Sequence, residues 1–285
     1  MLKYRLLFGT LMSALFTGLV VLDGWLDGSL AGSPAGGSRV KATILMLLVA
    51  IILGLGGIEL SRLAAAKGLV ILNPASTIGL VLLATTWYWP QVFDIPLGLY
   101  VLLVMAFVLA GVMLQQHARF GTIGVLANCG ISCFSLLYLG GLGAFILGIR
   151  IDAGLGQVLM FIFAVKCSDI GAYAFGRLFG KHKLAPRVSP GKTWEGLAGA
   201  IIAGMAVSFA FATSFGIIRV WPALLFGGCM GAIGQLSDLS ESMLKRDAQQ
   251  KDSSNRVPGF GGILDVVDSP LFAAPFAYMF FRLVA

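Results

Sequence analysis

Charged side chains occur inside apolar stretches of the C-terminal half of the chain, where a lipid-facing helix would not carry them. They come in pairs three residues apart, which places both members on one helix face: Lys166 with Asp169, Asp238 with Glu241, and Asp265 with Asp268. An ionised group at mid-membrane costs about 2.5–3.5 kcal/mol, so such residues usually face a polar interior and serve function. Each pair also allows a plain alternative, either a neutralising ion pair or a solvated group at interface depth.

Three of these aspartates could act together as metal ligands. Asp238, Asp265 and Asp268 have no histidine or cysteine beside them. Hard carboxylate oxygens suit Mg²⁺, which typically takes one or two carboxylates and completes its shell with water and substrate phosphate. We therefore predict an Mg²⁺ site and leave a second cation open.

Basic residues concentrate in the connection 177–194, which has five lysines and arginines and no acid. It ends, at the start of an apolar stretch, in four residues of anion-binding type: Ser189, Gly191, Lys192 and Thr193. It is not a Walker A loop, because Pro186 stands where that loop needs glycine. The alternative function of this connection is a basic anchor at the lipid headgroups.

A second polar connection, 239–262, has its own basic residues and a flexible end. It contains Lys245, Arg246 and Lys251, and then the glycine-rich stretch 258–262 leading into the Asp265 segment. Lysines, glycine-rich segments and a metal site together indicate a polyphosphate substrate that meets a membrane substrate.

The elements that must position these residues are membrane spans. The chain is 58% hydrophobic and 12% charged, with a mean hydropathy of +0.92, whereas soluble domains carry about 25% charged residues. We predict an all-α, polytopic integral membrane helical bundle of about nine transmembrane helices, since a span needs about 20 apolar residues. The candidates are 6–23, 42–60, 68–88, 96–115, 122–147, 155–176, 195–217, 220–238 and 263–283.

Two functional regions follow from this pattern. We predict an N-terminal transmembrane scaffold, 1–150, and a C-terminal catalytic transmembrane region, 151–285, with loops 177–194 and 239–262. Glu59 is the notable carboxylate of the scaffold, and we interpret it as the solvated end of the second span. The Gly-x-x-x-Gly spacings at Gly176/Gly180 and Gly227/Gly231 permit close helix packing.

Orientation follows from the distribution of positive charge. With the N-terminus in the cytoplasm, 14 of the 20 lysines and arginines lie on cytoplasmic segments and five on outer segments. This places both long polar connections on the cytoplasmic side. We therefore predict a multi-pass protein of the cell (inner) membrane with a cytoplasmic active face.

Two blocks of the sequence, 168–196 and 237–268, resemble the phosphatidate cytidylyltransferase (CDP-diacylglycerol synthase) family. The second block agrees in register with the family signature at Ser242, Lys245, Arg246, Lys251, Asp252, Ser254, Pro258, Gly261, Gly262, Asp265 and Asp268. The resemblance covers roughly 155–285. Phe260 and Val266 depart from it, because they stand where the signature has histidine and arginine.

The resemblance implies a reaction of CTP with phosphatidate that gives CDP-diacylglycerol and pyrophosphate. By this resemblance, the Mg²⁺ ligands are Asp238, Asp265 and Asp268, and these three together with Lys245 and Lys251 are the catalytic residues. The CTP phosphates are bound by Ser189, Lys192 and Thr193, and pyrophosphate or the lipid headgroup is bound by Lys245, Arg246 and Lys251. The cavity is lined by Asp169 and Tyr173, and the further substrate-binding positions are Ser242, Asp252, Gly261 and Gly262. The expected partners are CTP, membrane phosphatidate and the bilayer, with no nucleic acid and with a homodimer left open.

Other functions stay open on the sequence alone. Loss of the signature histidine and arginine at Phe260 and Val266 allows a weakened or inactive homologue that binds phosphatidate. A CTP-dependent membrane lipid kinase would use similar residues but release CDP. A secondary transporter also has intramembrane carboxylates, but it usually shows repeat halves, and none is evident here.

Overall fold

A computed structural model of the chain describes residues 2–30, 40–250, 253–254 and 261–284. Within these ranges, nearly all regular structure is helical. The elements in chain order are α1 Leu2–Leu26, α2 Thr43–Ala66, α3 Ala75–Ala84, α4 Trp89–Phe93, α5 Leu97–Phe120, α6 Val125–Ser135, α7 Leu142–Gly148, α8 Leu155–Phe179, β1 Lys183–Ala185, β2 Ser189–Thr193, α9 Trp194–Phe215, α10 Val220–Asp247 and α11 Ile263–Val284. Two π-helical turns, Leu136–Gly141 and Ile149–Ala153, make Val125–Ala153 one continuous apolar stretch.

In the described ranges, eight helices are long and apolar enough to cross a membrane: Gly9–Leu26, Thr43–Ala66, Leu97–Phe120, Val125–Ala153, Leu155–Phe179, Trp194–Phe215, Val220–Asp247 and Ile263–Val284. The prediction of an all-α, multi-pass membrane protein is confirmed. The third predicted span, 68–88, differs, because its helix α3 has only 10 residues. Pro74 precedes α3, and a helix that continued back through proline would lose a hydrogen bond and clash with the preceding turn.

Contacts within the chain define two compact units. The first unit comprises Met1–Ile151 and Ala248–Val266, and the second comprises Asp152–Asp247 and Val267–Ala285. The described residues of the first unit's second segment, 248–250, 253–254 and 261–266, include part of the predicted catalytic loop and therefore pack with the N-terminal helices. The functional division into 1–150 and 151–285 stays a prediction.

A buried ion-pair cluster joins three helices of the first unit. Arg150 is only 1% exposed, and its Nη2 lies 2.7 Å from Asp27 Oδ2 and 3.2 Å from Asp23 Oδ2. The N–H groups of Ala42 and Ile44 donate to Asp27 and Asp23 at 3.2 and 2.7 Å. The cluster thereby ties the end of α1 to the start of α2 and to the helix Val125–Ala153.

Asp27 lies just beyond the membrane-spanning part of α1. Burial alone would raise the pKa of this carboxyl, but hydrogen bonds from the hydroxyl and N–H of Ser29 and the charge of Arg150 outweigh it, so the pKa is lowered from 3.8. The stabilisation by Asp27 is therefore complete above its unfolded-state pKa and is lost as the pH falls through the lowered value.

Glycines set the spacing of the second unit. A Cβ at Gly227 of α10 would lie 2.2 Å from Gly204 O of α9, and one at Gly231 would lie 2.6 Å from Ala200 O. Helices α9 and α10 therefore touch backbone to backbone, as small residues permit. The close packing predicted from the Gly227/Gly231 spacing is confirmed.

Two local features hold the polar ends of these helices. Strands β1 and β2 form an antiparallel hairpin between α8 and α9, with Lys183 opposite Thr193 and Ala185 opposite Ser189. In the same unit, Ser237 Oγ of α10 donates to the carbonyl of Asp268 in α11 and accepts from the N–H of Phe272 at 3.3 Å. Segments far apart in the sequence are thus brought to one end of the unit.

Replacing Gly227 by alanine is expected to destabilise the protein by about 1–3 kcal/mol, because the added methyl group must push two backbones apart. The measurement is the thermal unfolding midpoint of the protein in detergent. Gly130→Ala in α6 is the matched control, since a Cβ there meets nothing within 4 Å. Equal midpoints for the two variants would contradict the backbone contact.

Candidate active site

Three carboxylates converge where α10 and α11 meet in the second unit. One oxygen each of Asp238, Glu241 and Asp268 lies within 4.8 Å of the others. Glu241 and Asp268 are buried, so the alternative of a solvated group at interface depth is wrong for Glu241, which is 0% exposed. Three carboxylate oxygens this close together can hold a hard cation.

Three lysines lie against these acids. Lys192 Nζ is 2.8 Å from Asp238 Oδ2, and Lys245 forms an ion pair with Glu241. Lys166 Nζ is 3.7 Å from Asp169 Oδ2 and 3.9 Å from Asp268 Oδ1. Lys166 therefore pairs with Asp268 of the carboxylate cluster as well as with Asp169 on its own helix.

The charges of this group do not cancel. Its four carboxylates, on Asp169, Asp238, Glu241 and Asp268, face three lysine ammonium groups, which leaves one net negative charge when all are ionised. Like charges held at short distance repel each other, and a bound cation relieves the repulsion. The residues present therefore fit a divalent metal ion with carboxylate oxygen ligands.

Gln235 is a member of the site that the sequence analysis missed. Its side-chain Nε2 donates to Asp169 Oδ1 at 3.2 Å, and its main-chain carbonyl accepts from Lys192 Nζ at 2.9 Å. It stands three residues before Asp238, on the same face of α10, and this polar spacing was the available signal. Ser242 completes the face, with its Oγ 3.4 Å from Asp238 Oδ1.

The hairpin places Lys192 beside the carboxylates, and other predicted site residues near it make local structural contacts. Thr193 Oγ1 accepts from the N–H of Gly196 at 3.0 Å and so caps the start of α9. Arg246 Nε donates to the carbonyl of Val188 at 3.3 Å, which links the end of α10 to the hairpin. Ser189 is half-buried within β2.

Tyr173 stands apart from these buried contacts. It is 58% exposed, and its hydroxyl accepts from Arg177 Nη1 at 2.9 Å. Its predicted place in the cavity beside Asp169 stays a prediction.

Asp265 is held in a polar network of the first unit. Its Oδ2 accepts from the N–H of Ser253 at 3.0 Å, from the Ser253 hydroxyl at 2.8 Å and from the N–H of Gly262 at 2.7 Å. Gly261 has a φ of +99°, a conformation that favours glycine. The predicted residues Lys251 and Asp252, and the departure at Phe260, lie outside the described residues.

Glu59 is a second member of this network, and its interpretation as a solvated helix end is wrong. It is 0% exposed, it accepts from the Ser254 hydroxyl and the N–H of Leu264, and its Oε2 lies 3.0 Å from Ser253 Oγ. The signal in the sequence was weak, because a lone glutamate near the end of an apolar stretch is usually solvated. Its partners lie about 200 residues further along the chain.

A family model described as the cytidylyltransferase family matches residues 36–284. Curated proteins named phosphatidate cytidylyltransferase are similar to this chain, and that of Haemophilus influenzae is 43% identical over 134 residues, which cover 45% of this chain and 46% of that protein. That of Staphylococcus haemolyticus is 38% identical over 176 residues, which cover 61% of this chain and 65% of that protein. That of Staphylococcus epidermidis is 32% identical over 241 residues, which cover 83% of this chain and 89% of that protein.

The extent of these matches differs among the relatives. The chain spans about half the length of the Haemophilus protein in its match, but most of the length of the Staphylococcus epidermidis protein. The resemblance seen in the two sequence blocks is confirmed by the family match, which extends through most of the chain. The chain belongs to the cytidylyltransferase family.

Proposed function

We propose that the protein is a phosphatidate cytidylyltransferase, which converts CTP and phosphatidate to CDP-diacylglycerol and pyrophosphate in phospholipid synthesis. The observation that carries the proposal is the group of partly and fully buried carboxylates, with lysines paired to them, at α10, α11 and the hairpin. The family match and the names of the similar proteins support it. Such a group suits a reaction between two polyanions.

The chemistry requires positioning and charge neutralisation more than proton transfer. A phosphatidate oxygen bonds to the α-phosphorus of CTP, the bond from that phosphorus to the bridging oxygen breaks, and pyrophosphate leaves. The nucleophile is already ionised at neutral pH, so no strong general base is needed. The scarcity of histidine therefore agrees with this reaction, and lysines near the phosphates would stabilise the charge that develops.

Asp238, Glu241 and Asp268 would hold Mg²⁺, with Asp265 as a further predicted ligand. When bound, the ion would neutralise phosphate charge and orient CTP. Lys192, now paired with Asp238, would bind a CTP phosphate, together with Ser189 and Thr193. Lys245, Arg246 and Lys251 would bind pyrophosphate or the phosphatidate headgroup.

The proposed site lies at the cytoplasmic face of a cell membrane. Both polar connections are rich in lysine and arginine, which favours the cytoplasmic side. CTP is a soluble nucleotide, while phosphatidate carries acyl chains, so a site at the end of membrane-spanning helices can receive one substrate from each phase.

The deciding experiment supplies purified protein with CTP, phosphatidate and Mg²⁺ and identifies the products. The proposal expects pyrophosphate and CDP-diacylglycerol, and it expects Asp265→Asn to lose this activity. Release of CDP with a phosphorylated lipid would show a lipid kinase instead. Binding of phosphatidate without CTP consumption would show a non-catalytic homologue, and Phe260→His with Val266→Arg would then test whether the two departures are the cause.

A further inference from the structure

Glu59 is a fully buried carboxylate that receives hydrogen bonds from a distant part of the chain. Its Oε1 accepts from the Ser254 hydroxyl at 2.6 Å. Its Oε2 accepts from the N–H of Leu264 at 2.9 Å and lies 3.0 Å from Ser253 Oγ. All of these groups belong to the first unit, so Glu59 links α2 to the start of α11.

Ser253 connects Glu59 to Asp265. Its hydroxyl oxygen lies 3.0 Å from Glu59 Oε2 and 2.8 Å from Asp265 Oδ2. A hydroxyl has one hydrogen and can donate to only one of the two carboxylates at a time. Each carboxylate nevertheless keeps two other donors, Ser254 and Leu264 for Glu59, and the N–H groups of Ser253 and Gly262 for Asp265. The network is therefore satisfied whichever way the hydroxyl points.

Gly262 shows how closely these groups are packed. A Cβ at this position would lie 1.9 Å from Ser253 Oγ and 2.4 Å from Glu59 Oε2. No side chain fits, so a glycine is required for the N–H of residue 262 to reach Asp265 while Glu59 and Ser253 keep their places. This gives a packing reason for the last glycine of the 258–262 stretch.

We propose that Glu59 is a positioning residue for Asp265. By binding Ser253, Ser254 and the N-terminus of α11, it fixes the segment that donates to the Asp265 carboxylate and so sets the orientation of that carboxylate. Its effect on catalysis rests on the proposed function, in which Asp265 is a metal ligand. Residues that hold metal ligands in place commonly change metal affinity or activity by about tenfold to hundredfold when removed.

The test variant is Glu59→Gln, which keeps the size of the side chain but replaces one accepting oxygen with an amide that donates. We expect faster hydrogen–deuterium exchange in the peptide containing Leu264 and Asp265. We also expect about tenfold to hundredfold weaker Mn²⁺ binding, measured by electron paramagnetic resonance in the presence of CTP, and a similar rise in the Mg²⁺ concentration for half-maximal pyrophosphate release.

The matched control is Asp23→Asn, which removes another buried carboxylate of the same unit that pairs with Arg150. It is expected to lower stability without changing the Mn²⁺ affinity of the folded protein. The proposal is overturned if Glu59→Gln leaves both exchange and Mn²⁺ affinity unchanged, or if Asp23→Asn weakens Mn²⁺ binding equally, since the effect would then be general loss of structure.

Two milder variants decide the matter if Glu59→Gln does not fold. Ser253→Ala removes the hydroxyl between the two carboxylates, whereas Ser254→Ala removes a hydroxyl that donates to Glu59 Oε1. We expect Ser253→Ala to weaken Mn²⁺ binding more than Ser254→Ala, and the reverse order would overturn the proposal. The exchange measurement needs neither metal nor CTP, so a wild-type protein that makes no pyrophosphate refutes the proposed function while leaving the role of Glu59 testable.

Discussion

Asp268→Asn is expected to lower Mg²⁺-dependent pyrophosphate release by about a thousandfold. Asp268 is buried and offers one of three carboxylate oxygens that lie within 4.8 Å of one another. Asparagine keeps the shape but removes the charge that binds the cation. A metal supplies several kcal/mol of charge stabilisation in such a reaction, and each 1.36 kcal/mol corresponds to a factor of ten in rate.

The net charge around Asp268 gives a second reason to expect weaker Mg²⁺ binding in this variant. Lys166 Nζ lies 3.9 Å from Asp268 Oδ1 and 3.7 Å from Asp169 Oδ2. Without the Asp268 carboxylate, the three remaining acids and the three lysines of the group balance, and a cation is no longer attracted by net charge. The variant should therefore need more Mg²⁺ as well as turn over more slowly.

The measurement is pyrophosphate release from CTP and phosphatidate over a range of Mg²⁺ concentrations. Asp152→Asn is the control, because this exposed acid of the same unit pairs with the Tyr278 hydroxyl at 2.6 Å, away from the ligand group. Activity of Asp268→Asn within a few-fold of the wild type would exclude Asp268 as a metal ligand.

Arg150→Met is expected to destabilise the protein by about 3–5 kcal/mol, because it leaves Asp23 and Asp27 buried without their cation. The arginine is 1% exposed, so water cannot replace it. Removing one partner of a buried ion pair costs far more than the pair itself contributes, since the remaining charge stays desolvated. Folded yield and the thermal midpoint in detergent report the loss.

Two comparison variants identify the cause of the Arg150→Met effect. Arg219→Met removes an exposed arginine and should change the midpoint little. Adding Asp23→Asn and Asp27→Asn to Arg150→Met removes the stranded charges and should restore part of the lost stability. If the triple variant were less stable than Arg150→Met alone, the loss would come from packing and not from uncompensated charge.

More of the carboxylate and lysine group of the second unit could be predicted from the sequence than of the Glu59 and Asp265 network of the first unit. Asp238 and Asp268 could be proposed as ligands because each stands in an apolar stretch, and Asp268 also matches the spaced signature. Their lysine partners were only partly foreseen: Lys166 was paired with Asp169 by helix spacing, but its approach to Asp268 depends on how α8 packs against α11. Gln235 was missed because an uncharged amide in a span gives a weaker signal than a carboxylate.

The contacts of Glu59 were the hardest to predict from the sequence. In sequence it is an acid near the end of an apolar helix, and solvation is the usual outcome there. Its three donors come from residues 253, 254 and 264, and no local pattern connects positions that far apart. The helix α3 is a second case, since apolar composition over 68–88 suggested a full span, but the helix begins only after Pro74 and covers Ala75–Ala84.

The amino-acid sequence alone predicts that this protein crosses a membrane several times and carries acids on defined helix faces. Both follow from local properties, hydrophobicity along the chain and the fixed period of the helix. Which polar groups meet depends on three-dimensional packing: Lys192 of the hairpin pairs with Asp238 of α10, and Glu59 accepts a hydrogen bond from the segment that contains Asp265. The physical reason is that these contacts depend on the packing of segments distant in sequence, and close packing is set by glycines and buried polar groups whose partners the chain order does not reveal.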